Sequence, residues 1–176
     1  LPVLPIKPTL AAFDYVNNHL GFLSFLTRWE DQKQHPITQD YADMFGWDEL
    51  TTKVAHVYNN LTPEQKRNTQ IYADNYGQAG ALYHFGKQHN LPVTASLNSS
   101  FALWAPPNLN ARYIIYIDDE GDKINRFTPI TESCQKMDEI KHPLAVEKGT
   151  VILLLTNPKP ALNEIYKSEL AKRRGE

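Results

Sequence analysis

Residues 69–96 constrain this chain more than any other stretch. Ile71 and Ala73 lead into Asn75-Tyr76-Gly77, which reads as a short apolar strand stopped by a turn. Ala79, Leu82, Tyr83 and Phe85-Gly86 then recur at helical spacing, and Leu91-Pro92-Val93-Thr94-Ala95 returns the chain to extended backbone. Two strands joined through a helix of this length cannot form a hairpin, so they are expected to lie parallel in one sheet with a right-handed crossover. The unit predicts an α/β fold.

In such a sheet, ligands sit beyond the carboxyl ends of the strands, where free N–H groups at a helix start favour anionic groups. That places a first candidate site at residues 74–80. Gly77 and Gly80 do not complete G-x-G-x-x-G or a Walker loop, and a glycine in a strand-to-helix turn also serves simply to relieve backbone crowding.

With 176 residues, 41% of them hydrophobic, the chain is long enough for one sizeable core and short for two. A single domain over residues 9–176 is expected, behind an extended lead-in over residues 1–8 that carries Pro2, Pro5 and Pro8. The formal charge is −2, and basic residues are scattered until residues 167–174, so no basic face points to nucleic acid. Cys134 is the lone cysteine, which excludes an internal disulfide and a cysteine-based zinc site. The longest aliphatic run, residues 151–155, falls far short of the roughly 20 residues that span a bilayer. A chain opening on Leu1-Pro2-Val3-Leu4-Pro5 is expected to be a piece of a longer parent.

Elsewhere, Thr9 is placed as the cap of a helix to about Leu20, with Gly21 as its stop. Residues 22–29 read as an edge strand, a second helix, or an aromatic segment that packs on a partner. Residues 41–61 carry apolar side chains at three- and four-residue steps and predict the longest helix, followed by a capping box at Thr62-Pro63-Glu64-Gln65. Residues 97–107 read as a loop, 112–118 as the clearest buried strand, and 122–140 as a short helix with a loop around Cys134. Residues 151–155 form another strand and 161–172 a final helix. The sum is a three-layer α/β sandwich, Rossmann- or flavodoxin-like, with a mostly parallel sheet of four or five strands.

The chemistry-bearing residues are few. Six histidines show no metal-ligand spacing, and neither a metal nor a cofactor is expected. Asp48-Glu49 and Asp118-Asp119-Glu120 are carboxylate pairs of the kind glycoside chemistry uses, but both read better as solvated surface. Asn98-Ser99-Ser100 lacks a nucleophile elbow, so no catalytic residue is assigned. Residues 98–104 are a better binding candidate. Asn98 and Ser99 offer amide and hydroxyl groups for sugar hydroxyls, and Trp104 offers a ring for a sugar face. The same two aromatics, Phe101 and Trp104, also suit a core plug. The candidate substrate-binding set is therefore Asn75, Tyr76, Gly77, Gln78, Gly80, Asn98, Ser99 and Trp104.

Three stretches read together carry a resemblance. Tyr41-Ala42-Asp43-Met44-Phe45-Gly46-Trp47, Asn75-Tyr76-Gly77-Gln78-Ala79-Gly80-Ala81 and Leu103-Trp104-Ala105-Pro106 resemble the soluble C-terminal region of bacterial family 39 glycosyltransferases. These are multispanning proteins akin to protein O-mannosyltransferases and the lipid A aminoarabinose transferase. The resemblance covers most of residues 1–107 and the rest weakly. It implies sugar transfer from a polyprenyl-phosphate donor on the periplasmic face of the cytoplasmic membrane, with the catalytic carboxylates in a membrane portion of the same parent. This stretch would then be a non-catalytic accessory domain that contacts a saccharide or lipid-linked sugar. Gln78 stands where the family usually has Glu, and Leu97-Asn98-Ser99 where it usually has a Gly-His-Asn run, which weakens any ionisable role there. The rivals are a free-standing small-molecule or nucleotide-binding α/β enzyme and a pure docking domain that uses residues 22–29 on membrane helices.

Overall fold

The computed structural model describes residues 10–19, 21–119 and 121–175. The expected lead-in over residues 1–8, the Thr9 cap and Leu20 lie outside them. The chain divides into two compact units, Leu1–Gly46 with His142–Lys148, and Trp47–Lys141 with Gly149–Glu176.

In the first unit, α1 (Leu10–His19) is followed by a 3-10 helix at Gly21–Thr27 and by α2 (Gln39–Ala42). Phe13, Ile37 and Ala42 form its buried centre, with Trp29, Tyr41, Phe45 and Leu144 packed against them. The helix expected to run unbroken from residue 41 is interrupted after Ala42. Gly46 adopts φ 92°, a left-handed conformation that no helix interior tolerates, and α3 starts only at Trp47.

The second unit carries the sheet. α3 (Trp47–Asn59) and α4 (Pro63–Arg67) precede β1 (Thr69–Ala73). The capping box opens α4 as the sequence implies. Thr62 Oγ1 accepts from the Gln65 amide, and Gln65 Oε1 accepts from the Thr62 amide. Next come α5 (Tyr76–Phe85), β2 (Thr94–Ala95), α6 (Phe101–Trp104) and β3 (Tyr113–Asp118). α7 (Ile124–Phe127), β4 (Ser133–Glu139), β5 (Val151–Thr156) and α8 (Pro160–Arg174) complete it. At 15 residues α8, not the 13-residue α3, is the longest helix among the described residues.

The five strands form one sheet in the order β2-β1-β3-β5-β4. β1 pairs in parallel with β2, Ile71 opposite Thr94, and with β3, Ile71 opposite Ile115. The crossover unit of residues 69–96 therefore forms as its sequence requires. The parallel core stops there, because β5 runs antiparallel to both β3 and β4. The loop expected around Cys134 is in fact β4, an edge strand whose middle residues are exposed.

Alternation sorts the side chains. Ile71, Ala73, Ile115, Ile117 and Ile152 join Leu50, Val54 and Val57 of α3 and Ala79 and Leu82 of α5 in one cluster. Tyr72, Ile114, Leu153 and Leu155 join Leu162, Tyr166 and Leu170 of α8 in another. Successive residues of β1, β3 and β5 thus fall into different clusters, as expected of a sheet buried on both faces. Ile115 is fully buried in the first of these clusters. Ile115→Ala should cost about 2–5 kcal/mol and lower the urea midpoint in proportion; an unchanged midpoint would mean that this face is not packed.

Candidate functional site

The parallel core ends in carboxylates. β1 runs straight into Asp74, whose amide still donates to Ile117 O at 3.2 Å, and β3 ends at Asp118 with Asp119 beside it. Lys123, reaching back from the start of α7, meets all three. Its Nζ lies 2.5 Å from Asp74 Oδ2, 3.5 Å from Asp118 Oδ1 and 3.6 Å from Asp119 Oδ1. The Lys123 amide also donates to Asp118 Oδ2 at 2.8 Å, and the Tyr116 hydroxyl donates to Asp74 Oδ1. Asp118, expected on the solvated surface, is 1% exposed.

Burial raises the Asp74 carboxyl above its ordinary value, against the pull of its hydrogen bonds from Lys123 and Tyr116. Burial opposes the Lys123 ammonium too, but the hydrogen bond to Asp74 and the charges of the three carboxylates outweigh it and hold Lys123 above its ordinary value. Burial, reinforced by Asp74, raises the Tyr116 phenol as well. Lys123 is thus a fixed cation rather than a base. Carboxylate oxygens of Asp74, Asp118 and Asp119 lie within 4.8 Å of one another, close enough for a metal ion, but the Lys123 ammonium already serves them as their cation.

The sequence-derived site residues divide between this rim and the adjoining helices. Asn75 caps α5, its Oδ1 accepting from the Gln78 amide at 2.9 Å while its Nδ2 reaches Asp119 Oδ2 at 3.5 Å. Gln78 is fully buried, whereas Tyr76 is 63% exposed. Gly77 is explained by close approach, since a Cβ there would lie 3.1 Å from the Trp47 ring and 3.3 Å from Asn75 Oδ1. Gly80 meets no such neighbour. Tyr76, Gly77 and Gly80 share a shallow depression with Trp47 and Phe101. Phe101 also lines the adjoining cavity with Tyr83 and Trp104. Trp104 is 75% exposed, so it is not a core plug. Asn98 donates its amide to Ser96 Oγ, and Ser99 adopts φ 53°, unusual for a residue with a side chain. Neither Asn98 nor Ser99 lines the depression or the cavity.

Sequence reasoning missed how residues 102–109 are held. Arg174, in the last turn of α8, donates to Ala102 O at 3.1 Å and Ala105 O at 2.9 Å. Two turns back the Tyr166 hydroxyl donates to Pro106 O, and one turn further Asn163 Oδ1 accepts from the Leu109 amide. Residues 163, 166, 170 and 174 follow helical spacing, which could have marked this face, though not its partner. The aromatic segment proposed for docking is only partly described. Phe25 is 64% exposed, Trp29 stacks on His35 and donates to Ile37 O, and the Phe22 side chain lies outside the description. None of the described helices is long and apolar enough to cross a membrane.

Lys123→Met should destabilise the fold by about 3 kcal/mol at pH 7, the lower end of the range for buried pairs because Lys123 keeps some access to water. The deficit should shrink as pH falls and Asp74, whose carboxyl burial holds above its ordinary value, becomes protonated. Lys123 is raised on folding, so the parent's advantage is fully present below lysine's unfolded value and is lost as pH rises through the folded one; the deficit should therefore shrink again at strongly alkaline pH. Urea titrations across pH check both signs. Gly77→Ala should cost about 1–3 kcal/mol by pressing on Trp47, read as a lower thermal midpoint with altered Trp47 fluorescence. No protein-family model matches this chain, and neither does any curated protein or solved structure.

Proposed function

We propose that this chain is an accessory, non-catalytic α/β domain of a membrane glycosyltransferase that transfers a sugar from a polyprenyl-phosphate donor, acting on the periplasmic side of the membrane. Its partner would be the transmembrane portion of the same parent. Helices on both faces of the sheet support reading the fold as a three-layer sandwich of the Rossmann or flavodoxin kind.

The observation that carries the proposal is that residues from all three motif stretches meet. Trp47 from the first, Tyr76, Gly77 and Gly80 from the second, and Trp104 from the third border two adjoining hollows that share Phe101. Motifs far apart in sequence that converge on exposed rings suit a contact surface, and the exposed faces of Tyr76 and Trp104 would stack on a saccharide or acceptor. The rim chemistry speaks against the nucleotide-binding rival. Three carboxylates against one ammonium leave a surplus of two negative charges beside the α5 N-terminus, which repels phosphate.

Two measurements test the reading. The upstream reading frame should encode ten or so apolar spans of roughly 20 residues each; a frame beginning near Leu1 would reject it. In the full-length parent, Trp104→Ala should lower sugar transfer about tenfold or more without loss of the folded domain, and unchanged transfer would remove the contact role.

A further inference from the structure

The cavity beside Trp104 has a chemistry of its own. It measures ≈ 370 Å³, lies among α5, β2 and α6, and is lined by the rings of Tyr83, Phe101 and Trp104, by Val93, Ala95 and Ala105, and by Thr94. Among the described residues no charged side chain lines it. The volume lies within the range of small-molecule sites, which are mostly apolar with a few placed polar groups.

Thr94 is that polar group. It is 5% exposed, and its Oγ1 is buried with no hydrogen-bond partner among the described residues. A buried hydroxyl left unbonded is a standing cost to the fold, and valine would fill the same shape without it. The cost is recovered if a ligand supplies the missing partner. A sugar stacked on the exposed face of Trp104 would stay outside, because within the cavity most of its hydroxyls would be desolvated against carbon. A charged ligand fits worse, having no counter-ion.

We infer that this cavity binds a neutral small molecule with an aromatic or branched apolar body and a single hydrogen-bonding group, which pairs with Thr94 Oγ1. Because that oxygen is shielded from solvent, seating the ligand takes a turn of Thr94 about χ1 between ordinary staggered positions. The apolar body packs against Tyr83 and Trp104. The inference goes beyond the accessory-domain reading and does not rest on it, since it concerns binding by this chain alone.

Two probes of one shape, 4-methylphenol and toluene, separate the hydroxyl from the body. Titrated into the 176-residue chain and followed by NMR, both should shift the Trp104 indole and the residue 93–95 amides, with 4-methylphenol about fivefold tighter. In Thr94→Val the two should bind alike, toluene affinity should be kept, and the thermal midpoint should rise. Trp104→Ala, a change at an exposed ring, should weaken both probes whether or not the valine variant folds. Equal binding of the two probes by the parent would overturn the inference. So would shifts from neither, a preference that survives Thr94→Val, or undiminished binding by Trp104→Ala.

Discussion

Strand β1 holds the rest of the second unit in register. Flanked in parallel by β2 and β3, it sends three chain segments off the sheet at the same end. Its alternation of Ile71 and Ala73 with Tyr72 commits each face to a different core cluster. A slip of one residue would exchange those sets, pushing the Tyr72 ring among α3 and α5 and leaving Ile71 facing α8. The turn at Asp74, the α5 cap at Asn75 and the aspartates after β3 are neighbours only because this register is kept.

Lys123 is the electrostatic counterpart of that geometry. Parallel strands that end together bring their terminal carboxylates together, and three such groups cannot share a poorly solvated corner without a cation. The protein supplies one covalently, from the helix that follows β3. The result is an acidic corner in which three carboxylates gather around one ammonium. The exposed rings of Tyr76 and Trp104 lie on the adjoining helices α5 and α6 instead.

Much of this was legible in the sequence where local signals agreed. Residues 69–96 declared themselves through an apolar strand, a turn at Asn75-Tyr76-Gly77 and helical spacing after it, and Thr62 with Gln65 announced its capping box. Strand β4 was not legible. It pairs along one edge only, so its central Gln135, Lys136 and Met137 are exposed and leave no alternation to read. The helix break at Gly46 was hidden by apolar residues that kept their spacing across it. Asp118 looked like a turn residue because the sequence Asp119-Glu120-Gly121 after it spells one, and the lysine that pairs with it also serves Asp74, 49 positions away from that lysine. Thr94 gave no sign, since an unpaired hydroxyl is a property of surroundings rather than of spelling.

The tie between Arg174 and the carbonyls of residues 102 and 105 spans some seventy positions of chain. During vectorial synthesis the segment bearing Trp104 emerges well before the arginine that fastens it. The sheet core can order strand by strand, but this aromatic edge must wait for the last turn of α8 to leave the ribosome. Until then its indole is carried on a segment that lacks this fastening, so the nascent domain shows an exposed ring before the contact that positions it is made.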